Sequence, residues 1–452
     1  MKRLRRLSLP LLAAALMAAC GGGDGGGGNT TTVPPPTGCS VEEQKSWLVR
    51  YLDDAYFWAL QAPRPDPAGF TDLDLFFKAR LYDGSSPPFP SDRWSGWSST
   101  ESFQRFYGEG ATMGYGVSVA GLELERDGTR PLFVRYVEPA SPAALQGVVR
   151  GDQVLALNGR AASDIIAADD FAALTATNEG DVLTIQLLRG GVERSVTLRA
   201  AVFTLAPVQG TKVVTTAGGR KLGYVMVKDM ISQALPGMDT AFSRFRAEGV
   251  QEVVLDLRYN GGGLVSTGER LASHLVGETF AGRTYATLRH SPERSSRNQS
   301  FAFDFGIARI APTRVLVLAG RRTCSAAEQV VNGLRGVGVT VEMIGEATCG
   351  KPVGFVPTQA CSRSWSITNF ESVNERGEGR YWDGFAPTCA VAEDFRSPMS
   401  DPADALYGAA LARADGQACP ALAAGVARPL SATARRALGS RPSDERQDMI
   451  PR

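Results

Sequence analysis

The chain has 452 residues, which at roughly 100–200 residues per domain predicts two or three domains. Its 48 basic and 47 acidic side chains leave a net charge of +1, which argues against a nucleic acid as the main partner, because nucleic-acid binders carry an excess of clustered basic residues. The hydrophobic fraction of 43% supports substantial cores and argues against wholesale disorder. His274 and His290 are the only histidines, so a multi-histidine metal site is excluded, and we expect neither a metal nor a cofactor.

The N-terminus has the pattern of an export signal. Four basic residues within positions 2–6 precede a short apolar run over 7–19, which is too short to span a bilayer as a mature helix. Small residues directly before Cys20 resemble a bacterial lipoprotein signal, in which residues 1–19 are removed and Cys20 is acylated. An ordinary cleaved signal that happens to end at a cysteine is the alternative.

Residues 20–38 are predicted to be a tether. Glycines fill positions 21–28 except for Asp24, and three threonines and three prolines follow. Such a segment cannot bury apolar area, so it suits a body held just off a membrane.

An even number of cysteines remains once Cys20 is set aside. In an exported chain this number predicts disulfides, but fifteen pairings are possible and the sequence does not choose among them. The six are Cys39, Cys324, Cys349, Cys361, Cys389 and Cys419.

The first folded region, residues 39–108, is predicted to be helical. Ser40 and Glu43 form a capping-box pattern, and apolar residues then recur at helical spacing. A cap with only a packing role is the simplest interpretation of this region.

Residues 109–203 have the pattern of a small β-rich unit, in which short apolar runs alternate with turns. The chain reads Gly-Tyr-Gly-Val at 114–117, Ser-Pro-Ala-Ala at 141–144 and Leu-Asn-Gly at 157–159. This order resembles a PDZ domain of the bacterial protease type. The resemblance implies that Tyr115, Gly116 and Val117 hold the terminal carboxylate of a bound peptide through backbone N–H groups. A degenerate PDZ domain that only covers an active site is the alternative.

Residues 204–419 are predicted to form an α/β core, a mixed sheet with flanking helices. Apolar runs at 222–227, 253–256, 315–318 and 341–344 read as strands, and helical stretches alternate with them. In such folds the reactive groups lie where a strand ends and a loop or helix begins.

Three segments lie at such junctions. The first is Asp-Leu-Arg-Tyr-Asn-Gly-Gly-Gly at 256–263, where glycines allow close approach of backbone to a ligand. The second is Cys-Ser-Ala-Ala-Glu at 324–328, in which Ser325 is either a helix cap or a nucleophile. The third is Gly-Lys-Pro at 350–352, whose lysine could act as a base only if it were desolvated.

Together the three segments and the PDZ pattern resemble the carboxyl-terminal processing (tail-specific) protease family. The resemblance implies a dyad in which neutral Lys351 takes the proton of Ser325. It also implies an oxyanion hole from the N–H groups of Ala326 and Gly262. Many members carry a glutamine four residues after the lysine, and here that position is Phe355.

The predicted protein is thus a lipid-anchored periplasmic serine endopeptidase that recognises the free C-termini of exported proteins through its PDZ domain. Two alternatives remain at this point. One is a non-catalytic PDZ adaptor lipoprotein on a protease-like scaffold. It is favoured by Phe355 in place of the family's glutamine and opposed by the presence of Ser325 and Lys351. The other is a thiol hydrolase that uses Cys324. Residues 420–452, rich in alanine and arginine, are expected to be a mobile tail.

Overall fold

The computed structural model describes residues 33–420, Arg446 and residues 448–451. The predicted signal, Cys20, most of the tether and residues 421–445 lie outside the described residues. Within the described ranges, no helix combines the length and apolar character that a membrane crossing requires.

The N-terminal region is helical, as predicted. Ser40 and Glu43 complete their capping box, because the Glu43 amide donates to Ser40 Oγ and the Ser40 amide donates to the Glu43 carboxylate. A π-helical turn, Arg105–Glu109, ends the region. The other elements are α1 (Val41–Ala55), α2 (Leu73–Arg80), β1 (Gly96–Ser99) and α3 (Thr100–Gln104).

The second unit is the predicted β-rich domain. Its sheet places five strands in the order β3-β4-β5-β7-β8 among the described residues, and the strand before them pairs with the strand after them. Alternate side chains along β7 are buried, as expected for a sheet with one face on a core. The elements are β2 (Ala111–Gly114), β3 (Val117–Val119), β4 (Leu132–Val137), α4 (Pro142–Leu145), β5 (Gln153–Leu157), β6 (Arg160–Ala161), α5 (Ala162–Ala168), β7 (Val182–Arg189), β8 (Val192–Arg199) and β9 (Ala201–Thr204).

The third unit contains the predicted α/β core, whose four predicted strands are present. Its elements are β10 (Val208–Thr215), β11 (Lys221–Val227), α6 (Leu235–Ala247), β12 (Glu252–Asp256), β13 (Gly263–Leu264), α7 (Val265–His274), β14 (Thr284–His290), β15 (Gln299–Ala302), β16 (Val315–Ala319), α8 (Ala326–Gly336), β17 (Val341–Gly345), β18 (Val353–Gly354), β19 (Thr358–Ala360), β20 (Arg363–Ser366), β21 (Phe370–Val373), β22 (Cys389–Ala390), α9 (Ala405–Ala414) and β23 (Met449–Ile450).

The central sheet of this core has the order β10-β11-β12-β16-β17-β22 in the described part of the chain. Strands β11, β12, β16, β17 and β22 are parallel, and β10 is antiparallel to β11. Both faces are covered. Val225 and Leu255 pack on the side of α6, α7 and α8, whereas Tyr224 and Val254 pack on the side of α9. Burial on both faces explains why these strands are continuous apolar runs.

The N-terminal region is joined to the core rather than separate from it. Strand β1 pairs antiparallel with β20, and Trp47 and Trp365 pack in one cluster. A disulfide between Cys39 and Cys361 links the same two regions.

Candidate active site

The three predicted segments meet at the carboxyl edge of the central sheet. The glycine run follows β12, Ser325 follows β16, and Lys351 follows β17. Because these strands are parallel neighbours, their C-terminal loops lie side by side. The Cα atoms of Cys324 and Cys349 lie 5.2 Å apart, so the segments that carry Ser325 and Lys351 are in direct contact.

Ser325 lies at the start of α8 in an unusual conformation. Its φ of +58° is in a region that residues other than glycine rarely adopt, and such strain persists only where the surroundings impose it. The residue is fully buried, and its Oγ has no hydrogen-bond partner among the described residues. The capping interpretation therefore holds only for the backbone amide, which donates to Glu328, and the hydroxyl is left available for chemistry.

Lys351 is buried, with 2% of its surface exposed. Burial lowers the pKa of its ammonium group from the ordinary 10.5, while the negative charges of Asp448, Asp92 and Glu328 oppose that shift. Its Nζ lies 5.5 Å from the ring centroid of Phe355, which occupies the position of the family's glutamine. The aromatic ring thus contributes to the apolar surroundings of the amine.

Glu328 connects the segments that carry Ser325 and Lys351. One carboxylate oxygen accepts hydrogen bonds from the amides of Ser325 and Lys351, both at 2.9 Å. The other accepts from the Gly350 amide at 2.8 Å and the Thr348 hydroxyl at 2.5 Å. The sequence marked Glu328 only as the partner in a capping box, since nothing in the local pattern reveals its contact with the loop after β17.

Cys324 and Cys349 form a disulfide between the same segments. This bond rules out the thiol-hydrolase alternative, because a disulfide sulfur is not a free thiolate nucleophile. The remaining cysteine of the sheet edge, Cys389, pairs with Cys419. The expectation that an exported chain pairs its cysteines is met for all six.

The glycine run provides backbone donors beside Ser325. The amide of Gly262, predicted as an oxyanion donor, instead donates to Asn260 Oδ1 at 2.8 Å. The amides of Gly263 and Ala326 both donate to the carbonyl oxygen of Asp448, at 2.5 and 3.5 Å. The amides of Gly263 and Ala326, and not that of Gly262, thus point to one oxygen beside Ser325, while the role of Ala326 and Gly262 as oxyanion donors stays a prediction.

Gly262 nevertheless has to be a glycine. Its φ is +106°, and a Cβ on it would lie 2.3 Å from the Asp448 carbonyl oxygen and 2.9 Å from Ser325 Cβ. The missing side chain therefore leaves room for a carbonyl group next to the serine.

The predicted PDZ loop lies beside this site. Tyr115 and Val117 turn their side chains into the core of the β-rich domain, and residues 112–118 line one wall of a cleft. Gly116 has a φ of +72°, and a Cβ there would lie 2.0 Å from Ser141 Cβ. The opposite wall of the cleft includes Tyr259 and Gly261 of the glycine-run segment, so the cleft leads toward Ser325.

The end of the chain also reaches the site. Strand β23 pairs parallel with β13, and the Phe355 amide donates to the Met449 carbonyl at 2.9 Å. Mobility of the tail stays a prediction for 421–445, which lie outside the described residues, whereas Asp448, Met449 and Ile450 lie against the active-site loops.

Three family models match the chain. Residues 43–96 match the peptidase S41 N-terminal domain, residues 133–198 a PDZ domain, and residues 221–380 peptidase family S41. The last range contains the glycine run, Ser325 and Lys351.

Curated relatives and a solved structure agree with these matches. The chain is 25% identical over 303 residues to a carboxyl-terminal-processing protease of Synechocystis sp., covering 65% of this chain and 68% of that protein. It is 28% identical to a chloroplastic C-terminal processing peptidase of Tetradesmus obliquus, covering 54% of this chain and 52% of that protein. A crystal structure from Bacteroides fragilis, described as of the S41 protease type, superposes with a TM-score of 0.64 at 23% identity, covering 82% of this chain and 97% of that one. This last likeness concerns the fold.

Proposed function

We propose, from the premise that this chain belongs to peptidase family S41 and carries a PDZ domain, that it cleaves exported proteins near their C-termini with a Ser325–Lys351 dyad. The predictions of the fold and of a serine-type endopeptidase are confirmed by the family matches. The dyad, the substrates and the location are our proposals. The observation that supports them is that one carboxylate oxygen of Glu328 accepts hydrogen bonds from the amides of both Ser325 and Lys351. Both side chains are buried, and Ser325 Oγ has no hydrogen-bond partner among the described residues.

The dyad begins the reaction at the serine. Ser325 Oγ attacks the carbonyl carbon of the scissile bond, and neutral Lys351 takes the hydroxyl proton. The same amine then gives that proton to the leaving nitrogen. A lysine works in this role only when it is uncharged near neutral pH, and burial of Lys351 lowers its pKa in the required direction.

Backbone amides stabilise the charge that develops on the carbonyl oxygen. Gly263 and Ala326 direct their N–H groups to one point beside Ser325, where a carbonyl oxygen already lies. Donors fixed in a water-poor site stabilise an oxyanion without having to reorganise during the reaction.

Recognition of the substrate is assigned to the PDZ loop. An extended peptide would add to the edge of the domain, and the backbone N–H groups of Tyr115, Gly116 and Val117 would hold its terminal carboxylate. The cleft between this loop and the glycine-run segment would deliver the preceding residues to Ser325.

The proposed location is the periplasmic side of a bacterial membrane, with a lipid on Cys20. The three disulfides support it, because disulfides persist in oxidising compartments and are rare in the cytosol. Incorporation of labelled palmitate into the wild-type chain but not into a Cys20→Ala chain tests the anchor.

Hydrolysis of an unstructured protein tests the dyad. Ser325→Ala and Lys351→Ala should each lower kcat by a factor on the order of 10⁴, because loss of one member of a catalytic unit removes most of its effect. Lys45→Met is the matched control, since Lys45 is equally buried but donates to Pro67 O and Phe70 O in the N-terminal region. Full activity in both dyad variants would contradict the mechanism, and a wild-type chain that binds C-termini without cutting would favour the adaptor.

A further inference from the structure

The last residues of the chain occupy the active site in the manner of a substrate. Asp448 places its carbonyl oxygen where the amides of Gly263 and Ala326 converge. A carbonyl held by two such donors beside a nucleophilic hydroxyl is polarised for attack.

Backbone pairing on both sides fixes the segment that follows this carbonyl. Met449 and Ile450 pair with Gly263 and Leu264, and the Met449 carbonyl accepts the amide of Phe355. Gly354 leaves room for this contact, because a Cβ on it would lie 2.5 Å from the Met449 oxygen. An extended peptide held between two backbone edges is a common way to bind a chain before it is cut.

The side chains after Asp448 fill two apolar pockets. Met449 is fully buried in the main core cluster, and its sulfur lies 3.7 Å from Gln329 Nε2. Ile450 is 1% exposed and packs among Phe106, Leu264 and Phe355. Apolar pockets of this depth would specify the residues on the leaving side of a cut.

The N-terminal region, residues 39–108, contacts Asp448 and Arg446, which lie on the N-terminal side of the bond to be cut. Tyr107 donates its hydroxyl to the Asp448 carboxylate at 2.6 Å. The Arg446 guanidinium lies 5.0 Å from the ring centroid of Phe106 and donates to Ser102 Oγ at 2.8 Å. The helical region thus does more than pack against the core, and its π-helical turn presents Phe106 and Tyr107 to the end of the chain.

We infer that the protein cuts its own chain between Asp448 and Met449 and releases the residues that follow Asp448. This inference rests on the proposed function, because the same dyad would perform the cut. The substrate class is an extended C-terminal segment. The two residues after its cut bond are apolar, as Met449 and Ile450 are here, and each fills one of the two pockets.

The bonds balance with one water. Ser325 Oγ bonds to the Asp448 carbonyl carbon, and its proton passes to Lys351. The bond to the Met449 nitrogen breaks, and the proton from Lys351 completes the new amino group of Met449. Water then adds its hydroxyl to the Asp448 carbonyl carbon, the bond between that carbon and Ser325 Oγ breaks, and the other proton of the water passes to Ser325 Oγ, so the chain ends at Asp448 in a carboxylate.

Intact mass spectrometry of the purified full chain tests the inference. The wild-type chain should lack residues 449–452, and the Ser325→Ala chain should retain them. Met449→Asp should retain its C-terminus as well, because a carboxylate would enter an apolar pocket, while its hydrolysis of an unstructured protein should persist. Pro451→Asp is the matched control, since the added charge lies beyond both pockets, and it should be cut as the wild type is.

The outcomes separate this inference from the proposed function. A wild-type chain that cuts an unstructured protein but keeps residues 449–452 would overturn self-cleavage and leave the peptidase intact; the segment would then be an uncut occupant of the site. A chain that keeps its C-terminus and cuts nothing would overturn both. Loss of residues 449–452 from the Ser325→Ala chain would assign the cut to another protease and also overturn the inference.

Discussion

The catalytic junction and the contact of the PDZ domain with the core are held by different kinds of interaction. At the junction, a disulfide and the buried carboxylate of Glu328 tie the loops of Ser325 and Lys351 together. The contact between the PDZ domain and the core has a buried centre and an exposed rim. Arg150 pairs with Glu393 through side chains that are 8% and 15% exposed, whereas Arg321 pairs with Glu125, which is 46% exposed. Exposed ion pairs contribute little to stability, so the rim can be broken at small cost, whereas a covalent bond and a buried carboxylate hold the loops of Ser325 and Lys351.

Removal of the Cys324–Cys349 disulfide should have the largest effect on stability and on activity. Replacing Cys324 and Cys349 by serine should cost about 2–4 kcal/mol of unfolding free energy, because the unfolded chain gains freedom. It should also lower kcat/KM by about 10², since a displacement near 1 Å at reacting groups has effects of that size. Urea unfolding and peptide hydrolysis measure the two quantities.

The Cys389–Cys419 disulfide supplies the matched control. It closes a segment of 30 residues, close to the 25 of the junction disulfide, and it joins β22 to the residues after α9. Its removal should cost similar stability and leave kcat/KM near the wild-type value. Equal losses of kcat/KM in the two variants would show that the junction has no special rigidity.

Glu328→Gln should have the next largest effect. The amide nitrogen of glutamine would face backbone donors, and leaving buried groups unsatisfied costs about 1–3 kcal/mol. Because 1.36 kcal/mol corresponds to a tenfold rate change, we expect kcat to fall by about tenfold. Steady-state kinetics on a peptide substrate measure it.

Glu342→Gln controls for the loss of a buried carboxylate. Glu342 lies on β17 and pairs with Arg314 and Arg413, away from the carboxyl edge of the sheet. It should lower stability without lowering kcat. A Glu328→Gln variant with unchanged kcat would mean that the shared carboxylate does not position the dyad.

The smallest effect is expected at the exposed rim of the domain contact. A double-mutant cycle with Arg321→Met and Glu125→Gln should give a coupling of about 0.2–1 kcal/mol that decreases with salt. Urea unfolding at low and high salt provides the four free energies. A coupling well above this range that salt does not change would show that the Arg321–Glu125 pair is not a weak, exposed contact.

The sequence predicted the parts of the site that depend on local pattern. The apolar runs of β12, β16 and β17 predicted strands of the α/β core, and the positions of Ser325 and Lys351 just after two of them placed both where strands end. Local turn chemistry also predicted the capping box at Ser40.

Contacts between distant segments could not be predicted in this way. Six cysteines allow fifteen pairings, and only the folded topology brings Cys324 to Cys349. The hydrogen bond from the Lys351 amide to Glu328, and the direction of the Gly263 rather than the Gly262 amide toward the Asp448 carbonyl, depend on loop geometry that residue spacing does not encode. The placement of Asp448 against Ser325 joins residues more than a hundred positions apart.

The pH dependence of kcat/KM tests the central claim, an uncharged Lys351, most directly. A base must lose its proton to act, so kcat/KM should rise tenfold per pH unit and level off at a midpoint below the ordinary lysine pKa of 10.5, because burial lowers that of Lys351. Lys351→Arg, which keeps its proton throughout, should be inactive across the range. A midpoint at the ordinary lysine value, or an active Lys351→Arg chain, would contradict the account.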